Sequence, residues 1–404
     1  MLHRLEIANF HSIRDAQVID LRARRSRATA TANVLAPVWP GADEFAPKVV
    51  ALFGANASGK SNVLKALGFI SWFLTHSFRT EPDAKLPYEP FADEAGYAAD
   101  TRLLIWFPGP ADTSHPATGA SCRYAYEVVL REAPRPPQRV IRETLRYWPE
   151  PGGVSIQLLE RDADAKLSAA PTFGLDDYRQ AVSTVLRGSA SVIDTLAQLR
   201  HPLAEWMRHW AEAIIPNIIY HRNEWRRGDL AIPYVTHPHL LTQFNRDVER
   251  LSLGIRRMEL MGNDERRMLL FHHQGPHAAF FPEMESHGTL QFVHIYPMIQ
   301  LALDRGGLAV IDELDSALHP TLLAEVLRWF RDPVRNPRNA QLWTSCQNTA
   351  LLDELAREEI LFCEKDSVGR STVYGLRDVR KVRAGDNFAR NYLGGTYGAL
   401  PHVG

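Results

Sequence analysis

Cysteine is scarce in this chain, and so is lysine. Cys122, Cys346 and Cys363 lie far apart and form no C-x-x-C pair. They build no even disulfide framework, which fits a reducing cytosol. Of the 46 basic residues only seven are lysine, so a lysine inside a glycine-rich loop is not incidental. No sign of charge dominates. The formal net charge is −1, which excludes a global basic field for nucleic acid or a membrane surface and leaves only a local basic patch. Long apolar runs are missing too. The longest, around Phe69 to Leu74, is too short to span a bilayer. Leu2 to Ile7 carries charges where the apolar core of a signal peptide would stand. Sustained heptads and internal repeats are absent. These absences lead us to expect a cytoplasmic protein with no membrane partner.

What is present suits a globular fold. The 404 residues are 45% apolar and 23% charged, enough for a core throughout one large or two ordinary domains. The sharpest feature is Gly54-Ala55-Asn56-Ala57-Ser58-Gly59-Lys60-Ser61, the pattern G-x-x-x-x-G-K-S. It follows the apolar run Val49–Phe53 and precedes helically spaced apolar residues from Asn62 to Ile70. Strand, glycine loop and helix are the context that a phosphate-binding loop needs. Backbone N–H groups would wrap a polyphosphate, and the helix N-terminus adds positive potential. Gly54, Asn56, Ala57, Ser58, Gly59, Lys60, Ser61 and Asn62 are the candidate contacts. Lys60 would reach the β- and γ-phosphates, and the Ser61 hydroxyl would ligate Mg²⁺.

The rest of the chain is read by its patterning. Residues 2–8 and Val18–Leu21 read as short strands around a hairpin loop. Residues 22–47 read as an irregular loop. Its Arg22, Arg24, Arg25 and Arg27 are candidates for phosphate, although a solvated loop is the favoured reading. Leu103–Phe107, Tyr124–Leu130, Val140–Trp148 and Val154–Leu159 read as antiparallel strands. From Tyr178 to Ile215 the pattern is helical, with Trp206, Trp210 and Ile214 spaced as a core stripe. His239 to Met258 again reads as a helix. Strands at Gly307–Ile311, Ala340–Thr344 and Ile360–Cys363 alternate with helices at Thr289–Leu303, Thr321–Arg331 and Thr349–Arg357. That alternation implies a parallel sheet. His272, His273 and His277 stand in turn-like sequence without acidic or cysteine neighbours, and a metal site there is not favoured.

Two further segments complete a nucleotide site. Leu308–Ile311 ends in Asp312-Glu313. An acidic pair can simply cap an element, but beside a phosphate-binding loop Asp312 reads as a Mg²⁺ holder and Glu313 as the base for the attacking water. Earlier, Ser286-His287-Gly288-Thr289 precedes a helix. Alone it reads as a helix cap; before the acidic strand, Ser286 and Gly288 read as a second anion cradle.

These motifs together resemble an ABC-type ATPase head, as in the structural-maintenance-of-chromosomes, recombination-protein-F and overcoming-lysogeny-defect proteins. The chain is similar, more narrowly, to the short AAA/ABC-type ATPases of bacterial abortive-infection and phage-defence operons. Ile7–Ile13, Gly54–Ser61, Pro90-Phe91, Ser286–Thr289, Asp312–Pro320 and Asn391–Pro401 carry the likeness. The resemblance implies one α/β P-loop head over residues 1–404. It would have a P-loop and antiparallel β lobe (1–165), a mainly helical insertion (166–285), and a parallel-sheet core completed by the signature, acidic and C-terminal segments (286–404). ATP and Mg²⁺ are the implied cofactors. Ser286 and Gly288 would act in trans, so a homo-oligomer, at least a dimer, is implied.

Two positions depart from the family. Gln347 stands where a γ-phosphate-sensing histidine is usual, and His319 stands where an aspartate across the dimer is usual, although His-Pro is common there in the narrower group. Glutamine hydrogen-bonds but never becomes cationic, so slow hydrolysis with retained ATP binding is expected. Glu313, Lys60 and Gln347 are the expected catalytic residues. About 90 residues follow Glu313, and we expect them to finish the sheet without a nuclease domain. The resulting expectation is an ATPase that senses a phage cue and controls a separate effector. A DNA-repair or chromosome-associated ATPase acting on DNA is the alternative, and an autonomous nuclease ranks last.

Overall fold

The computed structural model describes residues 1–24, 33–82, 84–117, 119–132, 138–150, 152–218, 230–251, 253–262, 267–275, 279–316, 318–383 and 385–400. The chain starts as a hairpin, β1 (Arg4–Ala8) against β2 (Gln17–Asp20). A second hairpin follows, β3 (Leu35–Pro37) with β4 (Phe45–Pro47). An irregular stretch was expected there. Val34, Leu35, Ala36, Val38 and Ala46 are buried, and burying them leaves backbone groups that only pairing satisfies. Arg25 and Arg27 lie outside the described residues. Arg22 is committed to the fold: it bonds Asp20 and lies 4.9 Å over the Trp106 ring.

Next come β5 (Val49–Phe53), α1 (Lys60–His76) and the short α2 (Glu94–Ala98). Then β6 (Thr101–Pro110), β7 (Ser121–Glu132), β8 (Gln138–Trp148), β9 (Ile156–Arg161) and β10 (Leu167–Ala169) form an antiparallel sheet with the first hairpin. Its order is β10-β9-β8-β7-β6-β1-β2. Alternate residues of β6 face inward, as one-sided burial of an antiparallel sheet requires.

Three helices follow: α3 (Arg179–Val185), α4 (Val192–Gln198) and α5 (Pro202–Glu212). Trp210 of α5 stacks on Phe107 at 4.1 Å, so the tryptophan stripe is core. Ile214 does not continue that helix; it starts β11 (Ile214–Pro216), which pairs in parallel with a later strand. After α6 (Ile232–Thr236), α7 (Pro238–Val248) ends earlier than its apolar spacing suggests. Ile255 and Met258 belong to β12 (Ile255–Met261), paired with β13 (Met268–His273). Gly254, with φ +74, turns the chain. Asn245 of α7 then holds Met258 through both of its backbone groups, at 2.7 and 2.9 Å. Tertiary contacts override the helical period. The span 166–285 therefore carries four strands beside its five helices among the described residues.

The remainder alternates: α8 (His287–Arg305), β14 (Leu308–Ile311), α9 (Pro320–Arg331), β15 (Gln341–Ser345), β16 (Ile360–Lys365), β17 (Ser371–Gly375) and α10 (Phe388–Leu393). Thr349–Glu354 and Arg357–Glu359 form 3₁₀ turns in place of the α-helix expected over Thr349–Arg357. Leu351 and Leu352 are buried there, and Asn348 caps the first turn. Pro297 sits inside α8 and removes one N–H; the stranded Val293 carbonyl instead accepts from the buried Tyr234 hydroxyl at 2.7 Å. The core sheet has the order β11-β14-β15-β5-β16-β17. It is parallel except for the edge strand β17. Two apolar cores flank it. Val50 and Leu52 of β5 join the first, with α1 and the antiparallel lobe. Val49, Ala51 and Phe53 join the second, with α8 and α9. No helix among the described residues is long and apolar enough to cross a membrane.

Candidate functional site

The C-terminal edge of a parallel sheet is where loops can converge on a ligand. Here β14, β15 and β5 are consecutive neighbours. The loop after β5 is therefore separated from the acidic pair after β14 by a single strand, β15.

The glycine loop leaves β5 at Gly54, whose φ is +149 and whose missing Cβ would lie 2.2 Å from the Cys363 carbonyl oxygen of β16. Gly59 has φ +110, and a Cβ there would meet Ser371 Oγ at 2.3 Å. Gly59 also precedes α1 without any side-chain cap, which leaves the Lys60 and Ser61 amides at the start of a 17-residue helix to a ligand. Ser58 Oγ is buried in the loop and has no hydrogen-bond partner. An orphaned buried hydroxyl in an uncapped amide cradle fits a bound phosphate. Lys60 Nζ folds back onto the Gly54 and Ala55 carbonyl oxygens, both at 2.9 Å. Those are neutral acceptors, and a phosphate oxygen would attract the ammonium more strongly. Asn56 and Ala57 are exposed at the loop tip. With the C-terminal segment they line an open cleft of about 800 Å³.

Two serines buttress this loop from a distance. Ser371 Oγ donates to the Ser58 carbonyl at 2.7 Å and lies 2.7 Å from Ser12 Oγ. Asn62 Nδ2 donates to Ser12 Oγ at 2.7 Å. Asn9 holds Phe91 and Gly96 through its side-chain amide, so the stretches around Ile7–Ile13 and Pro90-Phe91 meet in space. Ala55 N–H donates to the Ala399 carbonyl at 3.2 Å, which brings the C-terminal segment onto the loop.

The acidic end is laced to the same place. Ser61 Oγ donates to Asp312 Oδ1 at 3.0 Å, and Ser345 Oγ donates to the same oxygen at 2.5 Å. Ser345 Oγ also accepts from Glu313 N–H at 2.8 Å. Asn217, just after β11, accepts from Asp312 N–H at 2.8 Å and donates to its carbonyl at 3.1 Å. A hydroxyl and a carboxylate this close form an all-oxygen donor set. That suits Mg²⁺, which takes one or two protein oxygens and completes its shell with water and phosphate. Glu313 has φ +53 and an exposed side chain. Gln347 Nε2 donates to Glu313 Oε1 at 3.3 Å. Asp315 Oδ2 accepts from the N–H groups of Gln347 and Asn348 at 2.6 and 2.5 Å. Burial, reinforced by the Asp315 charge, pushes the Cys346 thiol well above its ordinary pKa, so it stays protonated and inert.

The structure thus brings together Gly54–Asn62, Asp312, Glu313 and Gln347. It does not bring the signature segment to them. Ser286 caps α8, accepting from Thr289 N–H at 3.1 Å, and is exposed with His287. Among the described residues no hydrogen bond joins Ser286 or Gly288 to the glycine loop. His319 caps α9 through Thr321. The histidine run, expected to lack acidic neighbours, has them in space: His272 pairs with Glu259 at 3.0 Å and His273 with Glu285 at 2.5 Å. His277 lies outside the described residues. Ser12, Asn217, Ser345 and Ser371 are the site residues that sequence reasoning missed. Only their positions at strand ends and in the first hairpin loop could have signalled them.

A family model described as "AAA domain, putative AbiEii toxin, Type IV TA system" matches residues 49–98 and 145–342, more than half of the chain. The chain belongs to this AAA-domain family. The fold of this AAA-domain protein is α/β, with an antiparallel lobe and a core sheet parallel but for one edge strand. Solved structures of similar fold include an Smc head bound to the C-winged helix domain of ScpA (13% identity, TM-score 0.46, covering 93% of this chain and 97% of that one). Others are the SMC head domain from Thermotoga maritima (15%, 0.40, 93% and 98%) and a Pyrococcus furiosus Smc head with an extended coiled coil bound to the C-terminal domain of ScpA (14%, 0.45, 93% and 96%). Among curated proteins no sequence relative is found.

Proposed function

We propose that this protein binds and slowly hydrolyses ATP, and that ATP-dependent assembly of at least two copies controls a separate effector in a bacterial abortive-infection system. The observation that carries the reading is the convergence of Lys60, Ser61, Asp312 and Glu313 at one sheet edge, while Ser286 is exposed, Gly288 is half-buried, and neither is hydrogen-bonded to the glycine loop among the described residues. On this reading each copy would carry half of a γ-phosphate site on each of two surfaces, which a second copy would unite. The family match, which names a toxin system, supports the effector part of the reading.

The chemistry follows from the residues. Lys60 would leave the Gly54 and Ala55 carbonyls for the β- and γ-phosphates. Ser61 and Asp312 would hold Mg²⁺, which would supply positive charge against the charge developing on the phosphates. Glu313 would accept a proton from the attacking water. Gln347 reaches Glu313 and offers an amide where a cation would do more for a developing negative charge. Binding and assembly would outlast turnover.

The test is the mass of the natively co-expressed complex with and without ATP and Mg²⁺. The expected result is a second copy and a co-purifying partner that depend on ATP and are lost in Lys60→Ala. A wild-type protein that binds ATP and stays a lone monomer in both conditions would overturn it. Salt-dependent DNA binding that ATP switches on, with no protein partner, would favour a DNA-directed ATPase instead.

A further inference from the structure

Asp315 belongs to neither the glycine loop nor the acidic pair, yet it reaches the loop that carries Gln347. One of its oxygens, Oδ2, accepts from two consecutive backbone amides, Gln347 and Asn348. The other, Oδ1, is buried and has no hydrogen-bond partner. Leaving half of a carboxylate dry is unfavourable, so its other half must hold something whose placement matters.

The loops it joins follow adjacent parallel strands, with Ile311 of β14 paired to Thr344 of β15. Three contacts lace them. At the base, Glu313 N–H meets Ser345 Oγ at 2.8 Å. At the tip, Gln347 Nε2 meets Glu313 Oε1 at 3.3 Å. Between them stand the two hydrogen bonds that Asp315 Oδ2 accepts from backbone. The tip contact is long and solvent-exposed, and it cannot fix Gln347 by itself. The charge-assisted pair from Asp315 can.

We propose that Asp315 is a positioning residue for hydrolysis, holding the backbone of Gln347 so that its amide faces Glu313. This rests on the roles given above to Glu313 and Gln347. Asp315 touches no reacting atom; it sets the geometry of the group that does. A clamp that served folding alone would change thermal stability and leave turnover per folded molecule untouched.

The test compares wild type, Asp315→Asn, Asp315→Ala, Gln347→Ala and the Asp315→Ala/Gln347→Ala double variant. Steady-state ATP turnover and binding of a fluorescent ATP analogue are both measured. Asp315→Ala is expected to lower kcat about tenfold with KM and analogue affinity changed less than about twofold. Asp315→Asn keeps an oxygen for both amides and is expected to restore most of kcat. The double variant is expected to match Gln347→Ala alone, because one residue acts through the other. Asp315→Ser, too short to span both amides, replaces the alanine if that variant does not fold. Additive losses, or a kcat unchanged by Asp315→Ala in a wild type that hydrolyses ATP, overturn the positioning role alone. A wild type that binds the analogue and never turns over overturns the hydrolytic reading of Glu313 and the positioning role with it.

Discussion

Ser345 stands between the two halves of the nucleotide site, at the end of the one strand that separates them. Its hydroxyl donates to Asp312 and accepts from Glu313 N–H, so it aims the proposed metal-binding carboxylate and anchors the proposed base at once. Ser345→Ala leaves the part-buried Glu313 N–H without its acceptor and Asp312 with one fewer tether. The Mg²⁺ concentration for half-maximal turnover is expected to rise about tenfold, as for lost outer-shell partners of a metal ligand. Nucleotide binding without metal should not move; a magnesium titration beside a metal-free binding curve checks both. Gln347→His is the complementary change, adding a group that can become cationic beside Glu313. Turnover should rise several-fold, about 1 kcal/mol off the barrier. Single-turnover kinetics would show it, and an unchanged rate would mean that Gln347 does not limit hydrolysis. At this scale the contiguous part of the site was legible. Gly54–Ser61 is one segment whose spacing is itself the mechanism, and Asp312-Glu313 ends a visible apolar run. Ser345 and Asn217 were not legible, because serine and asparagine at strand ends are common and their partners lie 33 and 95 residues away. Ser371 is further still, 313 residues from the carbonyl it holds.

Among elements, the C-terminal segment has the most to lose from a small change. Gly398 has φ +76, and a Cβ there would sit 2.2 Å from Glu364 Oε1. That carboxylate cannot swing away freely, since the Tyr374 hydroxyl bonds it at 2.9 Å and Ala399 N–H also donates to it. Gly398→Ala is therefore expected to lift the segment from the loop at Ala55, at a cost of about 1–3 kcal/mol. Limited proteolysis after α10 and a thermal melt would report it, and a melt equal to wild type would contradict the close packing. Elements also show where sequence patterning misleads. The apolar spacing from His239 to Met258 fits one helix, yet a left-handed Gly254 and the Asn245–Met258 clamp divide it into α7 and β12. Local periodicity records which residues are buried; it does not record which partner buries them. The same residues of 35–37 and 45–47 that looked irregular pair because their side chains share a core.

For the whole molecule, two histidines of the first hairpin region are among the groups through which pH acts. Burial, and then the Arg123 charge, holds His3 well below the ordinary histidine pKa. Burial, and then Lys65, draws His11 down to about 4. Both are neutral in the fold and take up protons readily when unfolded. Between about pH 6.5 and about pH 4 the unfolded chain binds more protons, so stability rises with pH across that window. Their contribution is complete above the ordinary histidine value and is lost as pH falls through the window. Thermal melts should therefore drop on acidification, and His11→Asn, which tolerates the positive φ at that position, should make the drop shallower. An equal drop in both proteins would exclude His11 as a source.

The alternation along β5 has a mechanical consequence. Val50 and Leu52 are gripped from one side and Val49, Ala51 and Phe53 from the other. A slip by one residue would exchange every side chain between two unrelated jigsaws, so this strand cannot creep. Any force that a ligand applies to the glycine loop therefore meets a strand held from both faces, and the loop's own footing stays where it is.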